Sequence, residues 1–227
     1  MRKQISKLAL TAALGLAITF TQAAAATTLT DPRDKKTYKT VKIGEQVWMA
    51  ENLNYAAKGS KCGGTDLKVG EGEGEEWYLL ENKNTANCDK YGRLYDLETA
   101  MKACPSGWHL PTDKEWGKLY RFADGTSSTD IPYESATAGK FLKATSGWER
   151  DGNGEDKYGF AALPGGYGSG SKFTTDVGYA GYWWCSKEGD GNYVNVRYIG
   201  TDPNAYTSGN FYGYGSKSFV SVRCIKD

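Results

Sequence analysis

The feature that most restricts the fold of this chain is the segment at residues 100–119, where a cysteine, a tight turn and a helix start follow one another. Thr112 and Glu115 have the spacing of a capping box. In that motif the threonine hydroxyl accepts from a backbone amide three residues on, and the glutamate reaches back to the threonine amide. Three apolar residues then recur at helical spacing and are expected to face a core: Trp116, Leu119 and Tyr120. The segment therefore predicts a helix that begins just after Thr112.

A second helical pattern precedes this start. Four residues fall on one helical stripe: Leu94, Leu97, Met101 and Cys104. Pro105 would end that helix, because proline cannot continue the hydrogen-bond ladder. The two predicted helices are then joined at a corner formed by residues 106–110, and we expect Cys104, beside the corner, to be tied to a distant part of the chain. Residues 136–145 predict a short third helix.

The first 25 residues have the pattern of a secretory signal. Arg2, Lys3 and Lys7 form a basic start, an apolar run covers residues 8–20, and small residues at 23–26 suit a cleavage site. The apolar run is shorter than the roughly 20 residues that a membrane-spanning helix needs. We therefore expect no membrane span and an exported protein, secreted or at the cell surface, with the periplasm left open. Residues 26–227 are expected to form a single domain.

The charge balance argues against nucleic acids and anionic membranes as partners. The chain has 28 Lys and Arg against 27 Asp and Glu, and loss of the three basic signal residues leaves 25 against 27, a net charge near −2. Proteins that bind nucleic acids or anionic membranes usually carry an excess of positive charge. The composition thus predicts neither partner, and it leaves the oligomeric state open.

Five cysteines in an exported chain indicate disulfides, and the odd number leaves at least one cysteine unpaired or intermolecular. Cys62 and Cys88 bracket a glycine-rich, acidic stretch, and a bond between them would staple that stretch as a surface loop. The chain has one histidine and no C-x-x-C pair, so a zinc site of cysteine and histidine ligands is not predicted.

Strands and glycine-rich turns are expected after residue 151. Residues 192–199 alternate in polarity, as a half-buried strand does. Residues 219–224 predict a closing strand, in which Val220, Val222 and Cys224 share one face and point inward.

Several motifs, in chain order, resemble those of one protein family. They are GEQVWMAENLNY at 44–55, YGRLY at 91–95, CPSGWHLPT at 104–112, GFAALPGG at 159–166, YWW at 182–184 and SVRC at 221–224. The chain resembles the Fibrobacter succinogenes major paralogous domain over nearly all of its mature length. That family in turn resembles the C-type lectin-like fold, in the branch shared with formylglycine-generating sulfatase-modifying enzymes.

The resemblance implies an α+β fold of the C-type lectin-like kind, with two main helices around a twisted antiparallel sheet and long irregular loops. In that fold a cysteine near a helix is linked to the last strand, which implies a disulfide between Cys104 and Cys224. Cys185 is then left as a free thiol. The resemblance also implies secreted or surface proteins that occur in many copies, and it assigns them no activity.

The favoured function is a non-enzymatic binding module, an adhesin for a polysaccharide or a surface protein. The supporting feature is the ring-rich region from Tyr167 to Tyr214, because flat rings stack on sugar faces. The candidate ligand-binding residues are Tyr167, Tyr179, Tyr182, Trp184, Tyr193, Arg197, Tyr206, Tyr212 and Tyr214. The alternative is that these rings have only a structural role and cover a sheet. Lectin motifs for calcium-dependent sugar binding are missing, since Asp-Pro-Asn at 202–204 only approximates one.

Two other functions stay open. An enzyme related to the sulfatase-modifying factors would need a reactive thiol, and Cys185 has no cysteine or histidine near it in sequence to activate it. No cofactor is predicted, but a structural calcium is an alternative. Four residues have the spacing of oxygen ligands in a calcium loop, although an ordinary Asn-Gly turn explains them as well: Asp151, Asn153, Glu155 and Asp156.

Overall fold

The computed structural model describes residues 27–63, 85–127, 135, 137–169, 176–186, 195–202 and 218–227. The predicted signal at 1–25 lies outside the described residues. Within them, the chain forms a mixed α+β fold with two sheets and four short helices. None of the helices in these ranges is long and apolar enough to span a bilayer.

The secondary structure elements follow the chain in this order. The strands are β1 (Thr27–Thr30), β2 (Thr37–Ile43), β3 (Gln46–Met49), β4 (Lys61–Cys62), β5 (Arg93–Tyr95), β6 (Trp108–His109), β7 (Gly168–Ser169), β8 (Ala180–Trp184), β9 (Val196–Gly200), β10 (Ser218–Ser221) and β11 (Ile225–Lys226). The helices are α1 (Thr85–Tyr91), α2 (Leu97–Ala100), α3 (Asp113–Asp124) and α4 (Ala138–Leu142).

The predicted start of helix α3 is confirmed. The Thr112 hydroxyl accepts from the Glu115 amide at 3.2 Å, and the Glu115 carboxylate accepts from the Thr112 amide at 2.8 Å. The helix ends at Gly125, whose φ of 70° is the left-handed conformation that glycine adopts without a steric penalty. The three residues expected in the core are fully buried: Trp116, Leu119 and Tyr120.

The helix predicted before the corner is much shorter than expected. Only α2 forms, and it begins after Asp96, whose carboxylate accepts from the Thr99 amide at 2.9 Å. Leu94 belongs instead to strand β5, where it pairs with Ser221 of β10. Met101 is 44% exposed. The helical spacing was misleading because a local cap at Asp96 and long-range strand pairing at Leu94 divide the stripe between two elements. The third helix, α4, is also shorter than predicted.

The first sheet joins the two ends of the domain. Its strand order is β1-β2-β3-β11-β6, and all neighbours are antiparallel. Ile225 of the last strand lies between Trp48 of β3 and His109 of the corner. The C-terminal end of the chain therefore closes the sheet that the N-terminal hairpins begin.

The second sheet has the order β4-β5-β10-β8-β9, with β7 also paired to β10. Strands β10 and β8 run parallel, and the other pairs are antiparallel. The fold thus has two sheets where a single antiparallel sheet was expected. The closing segment divides into β10, which belongs to the second sheet, and β11, which belongs to the first.

The buried apolar side chains form two core clusters, one on each face of the sheets. Trp48 and Trp183 belong to the first cluster, and their chain neighbours Met49 and Trp184 belong to the second. Adjacent strand residues point to opposite faces, so both sheets are covered on both sides at these positions. The inward set predicted for the closing segment is confirmed, since three residues lie together in the second cluster: Val220, Val222 and Cys224.

Two disulfides hold the fold. Cys104 is bonded to Cys224 across a sequence separation of 120, and Cys62 to Cys88 across a separation of 26. Cys185 is free and fully buried. The long bond ties the segment after α2 to the end of the chain, and the short bond holds β4 against α1.

Candidate ligand-binding groove

Residues from distant parts of the sequence build a groove with a volume of 1220 Å³. It is lined by residues 36–42 at strand β2, 50–54 after β3, 88–92 at the end of α1, a loop from Asp156 to Leu163, and Phe122 of α3. A typical small-molecule site has a volume of about 300–1,000 Å³. The groove is therefore large enough for a ligand of several repeating units.

Aromatic side chains give the groove an apolar surface near α3. Phe122 is 46% exposed, and its ring lies edge-on to Tyr158 with the centroids 5.3 Å apart. Phe141 lies on the other side of Tyr158, at 6.5 Å. Phe122 also packs on the backbone of Gly44, since a Cβ there would lie 3.0 Å from its Cδ2 atom. These contacts hold the Phe122 ring in place while one part of it stays open to solvent.

Lysine side chains surround the groove. Five line it: Lys36, Lys39, Lys42, Lys90 and Lys157. Lys36 donates to the Asn54 carbonyl at 2.5 Å and lies 4.0 Å from Asp34. Among the described residues, the other four lysines form no ion pair, although Lys90 and Lys157 lie over Tyr91 and over the Phe141 and Tyr158 rings, respectively.

Three acidic residues also line the groove, and two of them are engaged by the backbone. The Glu51 carboxylate accepts from the Lys39 amide at 2.6 Å. The Asp156 carboxylate accepts from the Ala161 amide at 2.7 Å. Burial raises the pKa of Asp156, and the Ala161 amide and Arg223 offset only part of this effect. Counting Asp89 as the third, the groove has three acidic side chains against five lysines, so its local charge is positive.

Asn52 forms the floor of the groove and is nearly buried. Its amide nitrogen donates to the Tyr91 carbonyl at 2.8 Å. Its oxygen accepts from Trp183 Nε1 at 2.8 Å and from Arg223 Nε and Nη2 at 3.0 and 2.7 Å. Gly92 lies against it with φ 79°, and a Cβ there would approach the Asn52 Cβ to 2.7 Å. This network fixes the floor to both sheets.

Arg223 is a fully buried cation beneath this floor. Its guanidinium donates to the carbonyls of Phe160 and Ala161 as well as to Asn52, and it lies 4.4 Å from the Phe160 ring centroid. Burial lowers the pKa of Arg223 to about 9, against the opposing effect of Asp156 and Glu51. A buried charge is costly unless its hydrogen bonds are satisfied, so the loop carbonyls are held where Arg223 needs them.

The loop wall of the groove holds two non-glycine residues in the left-handed region. Asp156 has φ 43° and Ala161 has φ 50°, and the Asp156–Ala161 hydrogen bond closes the turn between them. Such backbone costs of order 1–3 kcal/mol at each residue and persists only where the surroundings enforce it. Here Arg223 and the Asp156 carboxylate supply that enforcement.

Most residues of the ring-rich surface predicted from the sequence are either buried or outside the described residues. Four of its nine residues lie outside the described residues: Tyr193, Tyr206, Tyr212 and Tyr214. Three others are buried: Tyr182, Trp184 and Arg197. Trp184 donates to the Tyr95 carbonyl at 2.7 Å, and Arg197 forms an ion pair with Asp113 at 2.5 Å. The structure corrects the prediction for these three, because their side chains stabilise the interior.

The two remaining predicted residues differ in exposure. Tyr167 is half-buried and packs edge-on to Tyr182, with the ring centroids 4.8 Å apart. Tyr179 is 41% exposed, with the Arg150 guanidinium 5.1 Å from its ring centroid. Of the predicted set, Tyr179 is thus the most exposed residue in the described ranges.

Three of the four candidate calcium ligands are each engaged by a different partner. Asn153 accepts from the Trp148 amide at 3.0 Å, Glu155 forms an ion pair with Lys140 at 2.9 Å, and Asp156 accepts from the Ala161 amide. Asp151 is exposed. In the described ranges, no three His, Cys, Asp or Glu side chains come together as metal ligands. The segment is a turn held by its own hydrogen bonds.

Cys185 is not accessible to a substrate. It is fully buried, and burial raises the pKa of its thiol well above the usual value. A thiol needs to ionise before it acts as a nucleophile. The arrangement therefore gives Cys185 the character of a packed core residue.

Sequence reasoning did not find the groove. Its lysines and Phe122 are separated by long stretches of chain, and no local motif marks them. One signal was present: residues 35–42 contain four lysines and no acidic residue. That signal predicts an exposed basic strand, but the opposite wall of the groove depends on the tertiary fold.

The comparisons with known proteins identify a family and nothing further. No curated protein and no solved structure gives a significant match. The sequence profile of the Fibrobacter succinogenes major domain matches residues 41–226. The matched segment contains both disulfides, the Asn52–Arg223 floor of the groove and the groove-lining residues from Val41 onward. This match covers far more than half of the chain and includes the contacts that hold the domain together. The chain therefore belongs to the Fibrobacter succinogenes major domain family.

Proposed function

We propose that this protein is an exported, non-enzymatic binding module that holds a polysaccharide chain in the groove beside strand β2. The observation that carries the proposal is the combination of an exposed ring, Phe122, with polar and charged side chains in one open groove of 1220 Å³. Sugar rings have apolar faces that stack on aromatic rings and hydroxyl edges that need hydrogen bonds. The groove offers both kinds of contact.

The rigid floor of the groove favours a binding function. Asn52 and Arg223 are fixed by hydrogen bonds to both sheets, and the loop at Asp156 is held in a strained conformation. A preorganised site binds with a smaller loss of conformational entropy than a flexible one. The enzymatic alternative has less support, since Cys185 is fully buried and burial raises the pKa of its thiol.

We further propose that the domain has the C-type lectin-like fold and reaches the outside of the cell. Supporting the fold, Cys104 and Cys224 bond the segment after α2 to the end of the chain. Supporting export, both disulfides suit an oxidising compartment, and the basic and apolar pattern of residues 1–25 suits a secretory signal. Mass spectrometry of the mature protein checks the second point, because an N-terminus at residue 1 would contradict export through this signal.

The test of the binding function is a panel of neutral and acidic polysaccharides, measured by affinity electrophoresis and calorimetry with the mature protein. We expect binding to at least one polysaccharide, and about five- to tenfold weaker binding by Phe122→Ala, since one aromatic contact contributes about 1 kcal/mol. The Phe122 ring also packs on Tyr158 and Gly44, so the variant should melt at a lower temperature, and binding is measured well below its unfolding transition.

Tyr179→Ala is the matched control, since Tyr179 has similar exposure and belongs to the surface predicted from the ring-rich region. It should bind as the wild type does. Loss of binding by Tyr179→Ala alone would move the site to that other surface. Failure to bind any polysaccharide, together with capture of a defined surface protein, would replace the proposal with protein recognition.

A further inference from the structure

The lysines of the groove carry an inference about which polysaccharide fits it. The whole mature chain is close to neutral, with 25 basic residues against 27 acidic ones after loss of the signal. The groove nevertheless collects five lysines and three acids. Its positive charge is therefore a local property of the site and does not follow from the composition.

The charges of four of these lysines are not neutralised within the described structure. Lys39, Lys42, Lys90 and Lys157 have no carboxylate within ion-pair distance among the described residues. Glu51, the acid nearest to Lys39 in the hydrogen-bond network, uses its carboxylate on the Lys39 backbone amide. An anion that enters the groove thus meets ammonium groups that no carboxylate of the described residues neutralises, although Lys90 and Lys157 lie over aromatic rings.

The lysines are also spread along the groove. Lys39 and Lys42 are three residues apart on β2, so their side chains leave opposite faces of the strand, and Lys39 is on the face of Val41, which lies against Gly159 of the loop wall. Lys90 follows Cys88 at the end of α1, and Lys157 is in the loop wall. A set of separated point charges suits an extended polymer with repeated anionic groups better than one small anion, which would contact only part of it. Lysine, as a mobile point charge, also tolerates variation in the spacing of those groups.

We propose that the groove selects anionic polysaccharides, whose carboxylate or sulfate groups bind Lys39, Lys90 and Lys157 while a sugar face lies on Phe122. This inference rests on the proposed function, because it assumes that the groove holds a glycan chain. The selection comes from the electrostatic attraction of repeated anions, and it weakens with salt, since the Debye length is about 10 Å at 0.1 M.

The test uses pairs of polysaccharides that differ in charge and share a backbone. Polygalacturonate is compared with its methyl ester, and dextran sulfate with dextran, in calcium-free buffer at low and at moderate ionic strength. The wild-type protein should bind at least one charged member about tenfold or more tightly than its neutral partner. The carboxylated and the sulfated arm separate the two sources of negative charge, and preference for either one supports the inference.

The double variant Lys39→Gln/Lys90→Gln should bind the charged polymer about five- to tenfold more weakly, at about 0.5–0.7 kcal/mol for each exposed charge pair. Its binding to a neutral polymer should not change. The matched control is Lys102→Gln/Lys118→Gln, which removes the same charge at exposed positions outside the groove and should bind as the wild type does.

The outcomes are separable. Equal affinity for charged and neutral partners, with no effect of the Lys39/Lys90 variant, would overturn the inference and leave glycan binding intact. An equal loss in both double variants would assign the effect to overall charge and would also overturn it. Tight binding to polyglutamate with no binding to any glycan would replace it with recognition of acidic proteins and would remove the proposed function as well.

Discussion

At the scale of single residues, His109 has the most informative surroundings. Its Nδ1 lies 2.7 Å from Asp227 and its Nε2 lies 2.9 Å from Glu115. A neutral imidazole has one N–H, so it donates to only one of the two carboxylates, whereas the protonated ring donates to both. Burial opposes the charge, but the hydrogen bonds to Asp227 and Glu115 outweigh it and raise the pKa of His109 above 6.5.

This arrangement predicts a pH-dependent contribution to stability. Because the pKa is higher in the folded state, the stabilisation is fully present below about pH 6.5 and is lost as the pH rises through the folded pKa. His109→Gln should lower the free energy of unfolding more at pH 5.5 than at pH 9, by about 0.5 kcal/mol, the scale of partly exposed ion pairs. Urea unfolding at both pH values measures this difference, and Lys118→Gln should show none. An equal loss at both pH values would mean that the ring acts only by packing.

The same scale shows why the ring surface was misjudged. Trp184 and Arg197 were predicted to contact a ligand because aromatic and charged side chains often do so. The same kinds of side chain also occur in a protein core where hydrogen-bond partners are available. Trp184 donates its indole N–H to the Tyr95 carbonyl, and Arg197 pairs its Nη2 with the Asp113 carboxylate. Both partners come from distant segments, so no sequence pattern reveals that these polar atoms are paired inside the protein.

At the scale of elements, helix α3 is the part of the fold that local sequence determines best. Its start is fixed by the Thr112–Glu115 capping box and its end by Gly125. Each of these signals involves residues within one helical turn, so they operate without tertiary contacts. The helix before the corner is different, since Leu94 was assigned by periodicity and the strand pairing with Ser221 overrides it.

The cap of α3 gives a prediction at this scale. Thr112→Ala removes the hydroxyl that accepts from the Glu115 amide, and it should lower the free energy of unfolding by about 1 kcal/mol. Thr112→Ser keeps an acceptor at that position and should lose much less. Denaturant unfolding of the three proteins measures the series. Equal loss for alanine and serine would show that the threonine methyl group, and not the cap, stabilises the helix start.

At the scale of the whole molecule, the candidate site is a product of topology. Strand β2, the end of α1, Phe122 and the loop beginning at Asp156 each contribute one part of the groove. The family resemblance was sufficient to expect an α+β fold and the long disulfide, because its motifs occur in order along the chain. It could not place Lys39 of β2 in one groove with Lys157, since that depends on how the first sheet packs against the loop.

The closure of the chain by Cys104 and Cys224 gives the last prediction. In the chain-entropy model, a disulfide stabilises by restricting the unfolded state, and the effect grows slowly with the length of the loop. The separation of 120 residues corresponds to about 5 kcal/mol, and the separation of 26 between Cys62 and Cys88 to about 3.5 kcal/mol. Cys104→Ala/Cys224→Ala should therefore destabilise the domain by about 1.5 kcal/mol more than Cys62→Ala/Cys88→Ala.

Thermal unfolding of both double variants, with Cys185 left in place, measures the difference between the two bonds. The long bond also joins the corner to the segment where β10 and β11 serve both sheets, and its loss should loosen the groove floor at Asn52 and Arg223. Faster hydrogen exchange at residues 50–54 in the Cys104/Cys224 variant would report that loosening. If the Cys62/Cys88 variant is the less stable of the two, then contacts of the folded state dominate over chain entropy, and the long bond is not what keeps the two ends of the domain together.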